Sequence, residues 1–171
     1  MNTEVEARTW PKFCVTAGFA GLCPVAPGTC GTLVGVVLAM LVTRYTAVPR
    51  TQAMALLSLA LLFSGVTVLY GDWAERAFGR KDPPQVVSDE VAGFLVAVLW
   101  VPQVAPEMEW LKVGTAFLLF RAFDILKPPP LKRLQAIGGG LGILADDLAA
   151  GLLANGCLQL VLRQFAVYQG L

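Results

Sequence analysis

The chain has 171 residues, of which 56% are hydrophobic and only 15% are charged, against about a quarter charged in an average soluble domain. We expect one domain over residues 1–171, and the net charge of +1, with no basic stripe among aromatics, excludes nucleic acid as an expected partner. The sequence has no histidine, which excludes a histidine general base, a phosphohistidine intermediate and a Ser-His-Asp triad within this chain.

The four cysteines do not form a CxxC pair, so a zinc site of the usual Cys/His kind is not expected. We predict reduced and mostly buried thiols. The N-terminus lacks a basic start followed by an apolar stretch, and it does not resemble a cleaved signal peptide.

Five apolar segments follow one another along the chain, at 31–48, 51–70, 91–105, 113–126 and 141–162. The second has about twenty residues without a charge, enough to span a bilayer core of roughly 30 Å, and is the clearest transmembrane candidate. Proline or glycine clusters separate most segments, and no strand-like alternation occurs, so the sequence predicts an all-α fold.

Two architectures fit these segments. The first is a compact helical bundle with several membrane-embedded or membrane-associated helices, crossing five times. The second is a compact bundle whose hydrophobic surface only rests on the membrane. With five crossings, the excess of lysine and arginine on the N-terminal side marks that side as cytoplasmic.

Five crossings also bring the unusual polar groups to one membrane face. A carboxylate near the centre of a membrane helix costs about 2.5–3.5 kcal/mol, so five of them require compensation. A divalent cation with oxygen ligands is the simplest answer, and helix capping with ion pairing is the alternative. The candidate metal and catalytic acids are Asp89, Glu90, Asp124, Asp146 and Asp147.

Phosphate partners are suggested near these acids. Arg121, Asp124 and Lys127 follow at three-residue spacing and share one helix face. The loop at 27–32 offers Gly28, Thr29 and Thr32 for close approach to a phosphate. The glycine-rich stretch at 138–142 precedes the Asp146 helix, where free backbone N–H groups bind a phosphate or simply form a turn.

These segments together resemble the phosphatidylglycerophosphatase A family of bacterial membrane phosphatases. The resemblance is carried by APGTCGT at 26–32, VSDEVAG at 87–93, FRAFDILKP at 120–128 and GGLGILADDLAAG at 139–151. Their order and spacing match across a core of about 14–160. The sequence departs from the family pattern at Ser88, where some relatives have an aromatic residue. It also departs after Lys127, where three prolines follow and an aromatic residue often stands between two prolines.

The resemblance implies hydrolysis of the terminal phosphate monoester of phosphatidylglycerophosphate to phosphatidylglycerol and inorganic phosphate, in glycerophospholipid biosynthesis. It implies Mg²⁺ as cofactor, the five acids as its ligands and catalytic groups, and Lys81, Arg121 and Lys127 as phosphate partners. It also implies the bacterial inner membrane, with the site facing the cytoplasm. The oligomeric state is not specified, and another glycerolipid or polyprenyl phosphate is a related possible substrate.

A membrane cation transporter or channel is the alternative, because intramembrane acids also mark ion pathways. That function predicts acids at several membrane depths, whereas the predicted topology crowds them at one end. An assembly subunit without catalysis leaves the paired acids unexplained.

Overall fold

The computed structural model describes residues 9–129 and 138–168, with no side-chain description at 166–168. No strand occurs in these ranges, so the all-α prediction is confirmed. Short 3-10 turns lie at Ala20–Leu22 and Pro106–Met108. The described helices are α1 Thr9–Val15, α2 Pro27–Tyr45, α3 Pro49–Phe78, α4 Ser88–Ala97, α5 Glu109–Leu126 and α6 Gly139–Tyr168.

Three helices are long and apolar enough to cross a membrane, namely α2, α3 and the Gly139–Phe165 part of α6. Their outer surfaces are apolar as well, since Leu33, Val37 and Leu41 are all exposed and repeat every fourth residue along α2. The 30 residues of α3 extend for about 45 Å, so its last turns pass beyond a bilayer core of about 30 Å. The chain is therefore built as a membrane protein.

The third predicted segment, at 91–105, differs from a continuous crossing helix. Helix α4 ends at Ala97 after ten residues, about 15 Å, and no regular helix follows until Pro106. The Gln103 side chain donates to the Gln52 side chain at 3.0 Å, so this irregular segment reaches the first turn of α3. The distance from the end of α4 to the first turn of α3 is therefore covered by non-helical chain.

Non-helical backbone at membrane depth requires hydrogen-bond partners inside the protein. The Asn155 side chain on α6 supplies them, because its Nδ2 lies 3.1 Å from the carbonyl oxygens of Val96 and Ala97 and 2.7 Å from that of Leu99. Gln159 in turn donates to Asn155 Oδ1 at 2.8 Å. This contact between distant segments explains how α4 ends where it does.

Helix α4 forms the centre of the bundle and contacts α2, α3, α5 and α6. Its Phe94 is fully buried and packs edge-on against Phe120 of α5, with ring centroids 6.2 Å apart. The α4 and α6 backbones touch, since a Cβ placed on Gly151 would lie 2.2 Å from the carbonyl oxygen of Gly93. The side chains of α4 are thus held on all sides.

One end of the bundle, here called the acidic end, collects the N-termini of α2, α4 and α6 and the last turns of α3 and α5. A Cβ on Gly71 of α3 would lie 2.3 Å from the Cα of Gly140, which fixes that meeting point. Exposed aromatic residues mark both ends: Trp10 at the acidic end, and Tyr45, Trp100 and Trp110 at the other. This distribution is typical of the two membrane–water interfaces.

Candidate active site

The acidic end contains a cavity of about 250 Å³ between the α3–α4 loop, the start of α4, the end of α5 and the start of α6. All five predicted acids line it, together with Lys127. The polar residues of the wall are Arg80, Asp82, Asp89, Glu90, Asp124, Lys127, Asp146 and Asp147. The structure therefore brings together the acids of three helices that are separated by up to 58 positions in the sequence.

The first turn of α4 supplies two of these acids. Asp89 and Glu90 follow Ser88, whose buried hydroxyl lies 2.7 Å from the hydroxyl of Thr67 on α3. This pair anchors the start of α4 to α3. No side-chain cap satisfies the first turn of α4, so Asp89 and Glu90 do not act as capping residues.

Three carboxylates form the tightest group. One carboxylate oxygen each from Asp89, Glu90 and Asp147 lie within 4.8 Å of one another, a spacing that suits a shared metal ion. Asp89 is only 5% exposed, and its Oδ1 and the Oε2 of Glu90 are buried without a hydrogen-bond partner among the described residues. Buried unpaired carboxylate oxygens are costly, so the group requires either a cation or added protons.

The electrostatics of this group agree with that requirement. Burial raises the pKa of Glu90 to about 8, an effect that Asp147 and Asp124 reinforce and the hydrogen bond to Asp89 opposes. Burial and the adjacent Glu90 raise the pKa of Asp89 well above its ordinary value. Both residues lie in the short α4, outside the three candidate spans. Without a cation, the site therefore favours bound protons on these acids.

The other two predicted acids are paired with basic side chains. Arg121 Nη1 lies 2.5 Å from Asp124 Oδ2 along α5, and Lys127 Nζ lies 2.5 Å from Asp146 Oδ2 across to α6. Asp124 and Asp146 thus each form an ion pair, and their role as metal ligands stays a prediction. The two cations sit beside the three-carboxylate group, where they are also placed to meet an anionic ligand.

Asp82 is a sixth carboxylate in the cavity wall that sequence reasoning did not identify. It lies in the α3–α4 loop with a left-handed φ of 49°, and its backbone N–H donates to the side chain of Glu75 at 3.2 Å. Burial raises its pKa, and the nearby carboxylate of Asp146 raises it further. The sequence signal is an acid in the proline-rich turn at 81–84, and such a turn by itself predicts only a break in the helix.

The predicted phosphate loop at 27–32 is instead the first turn of α2. Thr32 is fully buried and its hydroxyl donates to the carbonyl of Gly28 at 2.9 Å, so it does not face the cavity. Gly28 does reach the site, because a Cβ there would lie 2.5 Å from Glu90 Oε1 and 3.2 Å from Arg121 Nη1. Thr29 is half-buried in the same turn. The α2 N-terminus thus contacts the site mainly through its backbone.

Two further predicted phosphate partners are placed elsewhere. Gly139 and Gly140 pack against α3, and the N–H of Gly140 donates to Asp72 at 3.3 Å, so at least one N–H of this stretch is occupied. Lys81 lines a neighbouring groove and not the carboxylate cavity. Arg80, which was not predicted, lines both.

The cavity thus combines oxygen ligands for a hard cation with two side-chain cations beside them. Oxygen-rich sites of this kind suit Mg²⁺, which is bound through a few carboxylates together with substrate phosphates. The arrangement fits hydrolysis of a phosphate ester better than any reaction that requires a thiol or an imidazole. The four cysteines are free, as predicted, but they are half-buried and not mostly buried, and none of them lines the cavity.

Comparison with known proteins gives one family. The model of the family described as phosphatidylglycerophosphatase A matches residues 13–162. The chain is 30% identical to phosphatidylglycerophosphatase A of Escherichia coli K12, over 88% of this chain and 83% of that one, and 30% identical to the protein of the same name from Haemophilus influenzae, over 84% of each. It is 33% identical to a Bacteroides thetaiotaomicron protein provisionally named as a phosphatidylinositol-3-phosphatase, over 81% of this chain and 85% of that one. No solved structure matches.

Proposed function

The chain belongs to the phosphatidylglycerophosphatase A family and is a phosphoric monoester hydrolase, and on that premise we propose that it removes the terminal phosphate of phosphatidylglycerophosphate in a Mg²⁺-dependent reaction. The products are phosphatidylglycerol and inorganic phosphate, so the reaction belongs to glycerophospholipid biosynthesis.

One observation carries the chemistry of this proposal. Asp89, Glu90 and Asp147 converge from two helices, with Asp89 and Asp147 buried and Glu90 half-buried. One carboxylate oxygen each of Asp89 and Glu90 is buried without a partner among the described residues. Such a group is stable only with a cation or with extra protons. Arg121 and Lys127 beside it provide positive charge for a substrate phosphate.

The donor set fits Mg²⁺, and we assign Asp89, Glu90 and Asp147 as its ligands, with Asp124 and Asp146 completing the acidic site. When bound, Mg²⁺ polarises the phosphoryl oxygens as a Lewis acid. Hard oxygen donors and the absence of histidine and of cysteine in the cavity wall favour Mg²⁺ over a softer metal.

The side chains of the protein would then perform the remaining tasks. Arg121 and Lys127 exchange part of their contact with Asp124 and Asp146 for the phosphoryl oxygens, and so neutralise charge that develops in the transition state. When Arg121 turns toward the phosphate, the carboxylate of Asp124 becomes available either as general base toward water or as nucleophile. Trapping of an acyl-phosphate by hydroxylamine separates these two roles, because only a nucleophilic carboxylate forms one.

The headgroup and the membrane side are part of the proposal. The relative with a phosphoinositide name makes phosphatidylinositol 3-phosphate the obvious second substrate to compare. We place the protein in the bacterial cytoplasmic membrane with the acidic end toward the cytoplasm. Support comes from the larger number of basic residues at that end, since a cytoplasmic side carries an excess of lysine and arginine. The described basic residues at the acidic end include Lys12, Arg76, Arg80, Lys81 and Lys127. Those at or near the other end are Arg44, Arg50, Lys112 and Arg163.

The proposal is tested by phosphate release from phosphatidylglycerophosphate in detergent micelles, with Mg²⁺ or with EDTA. The variants are Asp147→Asn and Asp146→Asn, and the matched control is Glu107→Gln, which removes an exposed carboxylate at the opposite end. We expect wild type and Glu107→Gln to release phosphate only with Mg²⁺. Asp146→Asn should lose about tenfold to a hundredfold in rate, as expected for a neighbour of a metal ligand, and Asp147→Asn should lose at least as much.

Two outcomes contradict the proposal. Folded wild-type protein that releases no phosphate with Mg²⁺ present excludes the assigned substrate. Full activity in EDTA, or in Asp147→Asn, excludes the assigned cation site. The transporter alternative requires acids along a membrane pathway, and no comparison supports it. The cavity acids all lie at one end, and the described chain has no further acid within its three candidate spans apart from Asp72 and Glu75, in the last turns of α3.

A further inference from the structure

A second cavity, here called the basic groove, adjoins the acidic site. It has a volume of about 540 Å³ and lies between the last turns of α3, the loop that follows them and Gly138 before α6. Arg76, Arg80 and Lys81 contribute its basic side chains, and Asp72 and Glu75 contribute its acidic ones. The last turns of α3 pass beyond the bilayer core, so the groove lies at headgroup level.

The two acids of the groove are directed to backbone groups. Asp72 Oδ1 accepts from the N–H of Gly140 at 3.3 Å, and Glu75 Oε1 accepts from the N–H of Asp82 at 3.2 Å. In the described part of the chain, no ion pair to a carboxylate is formed by Arg76 or Arg80. Two guanidinium groups therefore lie together in a concave surface with their charge available to an anion.

Arg80 connects the groove to the acidic site, because it lines both cavities. Its position follows from the end of α3. Gly79 adopts a left-handed φ of 70° and the N–H of Arg80 donates to the carbonyl of Glu75 at 3.2 Å, which turns the chain away from the helix axis. A ligand that contacts both Lys127 and Arg76 would thus occupy both cavities at once, with Arg80 between them in the wall of each.

We propose that the basic groove binds a second phosphate of the substrate, namely the phosphodiester that links the headgroup to the diacylglycerol, with Arg76 and Arg80 as specificity-determining residues. This inference rests on the proposed function. Arginine suits the task because its planar guanidinium donates two parallel hydrogen bonds to a phosphate. The substrate class is therefore a lipid that carries both a phosphodiester and a separate terminal phosphate monoester.

The chemistry distinguishes this class from phosphatidic acid, whose only phosphate is a monoester on the diacylglycerol. Phosphatidylglycerophosphate and phosphatidylinositol 3-phosphate both have the two phosphates, so the groove would accept either. A groove that binds the phosphodiester would explain how this chain resembles proteins whose names refer to different headgroups, since both lipids carry the same pair of phosphates.

The test compares KM and kcat for phosphatidylglycerophosphate and phosphatidic acid in mixed micelles, for wild type, Arg76→Gln, Arg80→Gln and Arg80→Lys. The control is Arg50→Gln, which removes the same charge from an exposed position at the opposite end. We expect each glutamine variant to raise KM for phosphatidylglycerophosphate about tenfold to a hundredfold, the loss typical of one charge-assisted hydrogen-bonded contact. We expect Arg76→Gln to leave kcat and the KM for phosphatidic acid nearly unchanged, because Arg76 lines the basic groove and not the acidic cavity. Arg80 lines both cavities, so for Arg80 only the KM for phosphatidylglycerophosphate is compared, and Arg80→Lys should recover part of the affinity.

Should phosphatidic acid not be hydrolysed, its inhibition constant against phosphatidylglycerophosphate replaces KM. Equal losses for both lipids in Arg76→Gln would mean that the groove only attracts anions in general, and would overturn the inference. Unchanged KM values would overturn it as well. Absence of any activity in the wild-type protein is a separate outcome, because that result contradicts the proposed function itself.

Discussion

The Asn155 side chain joins the end of α4 to α6, and its replacement by leucine gives the most direct test of the fold. Its amide has two protons and lies within 3.1 Å of three carbonyl oxygens, so two full hydrogen bonds are the most it donates at one time. Leucine has a similar volume and no donor. The substitution therefore removes these bonds without opening a large cavity.

The expected loss follows from that count. A side-chain hydrogen bond inside a membrane protein contributes about 0.6–1.7 kcal/mol, so two of them contribute about 1–3 kcal/mol. For a chain of this size, each kcal/mol corresponds to about 2–4 °C in Tm, which gives a decrease of about 2–12 °C for Asn155→Leu. Asn155→Asp should lose at least as much, because it places a carboxylate oxygen against carbonyl oxygens.

The assay is thermal unfolding in detergent, followed by circular dichroism at a fixed scan rate, since unfolding of membrane proteins is often irreversible. Gln159→Leu is the matched control on the same helix, as Gln159 donates to Asn155 and accepts from Arg163 but does not bond to the α4 carbonyls. We expect it to cost less than Asn155→Leu. A change below about 0.5 kcal/mol for Asn155→Leu, the range of a neutral surface substitution, would refute the assigned role.

Three other substitutions test further contacts. Gly151→Ala should destabilise the protein by about 1–3 kcal/mol, because its Cβ would meet the Gly93 carbonyl at 2.2 Å, whereas Gly156→Ala on the same helix meets nothing within 4 Å and should not lower Tm. Gly28→Ala places a Cβ 2.5 Å from a carboxylate oxygen of the proposed cation site, so we expect a raised Mg²⁺ requirement in phosphate release with Tm little changed. Lys127→Met removes the ion pair with a buried carboxylate on α6, so it should destabilise the protein by up to about 3–5 kcal/mol. A second substitution that neutralises the partner should restore Tm but not activity; failure to restore Tm would contradict the assigned pairing.

The convergence of the acids could be predicted from the sequence because it depends only on the direction of each segment. Asp89 and Asp147 open segments that start at the same end, and Asp124 closes one that finishes there. Helices long enough to be recognised by hydrophobicity alone fix these directions. The prediction holds even though α4 is not a full crossing, since the irregular chain after it still reaches the opposite end.

The early end of α4 could not be predicted, because the apolar stretch continues past it. The helix ends where the side chain of Asn155, nearly sixty positions later, donates hydrogen bonds to its last carbonyls. Nothing within 91–105 indicates that contact. Similarly, Asp82 was missed because proline-rich turns predict a break in the helix but not which side chain the turn directs into a cavity.

The position of Asn155 on the last helix also bears on how the protein enters the membrane. Helix α4 is synthesised well before α6. With ten residues, α4 is too short to cross the bilayer as a helix of its own. We expect the carbonyls at its end to remain hydrated until α6 has been inserted. Until then, the carboxylates of Asp89 and Glu90 also remain without Asp147 beside them. Burial of α4 and assembly of the acidic site are thus one late event of biogenesis, so a chain that stops before α6 would have neither.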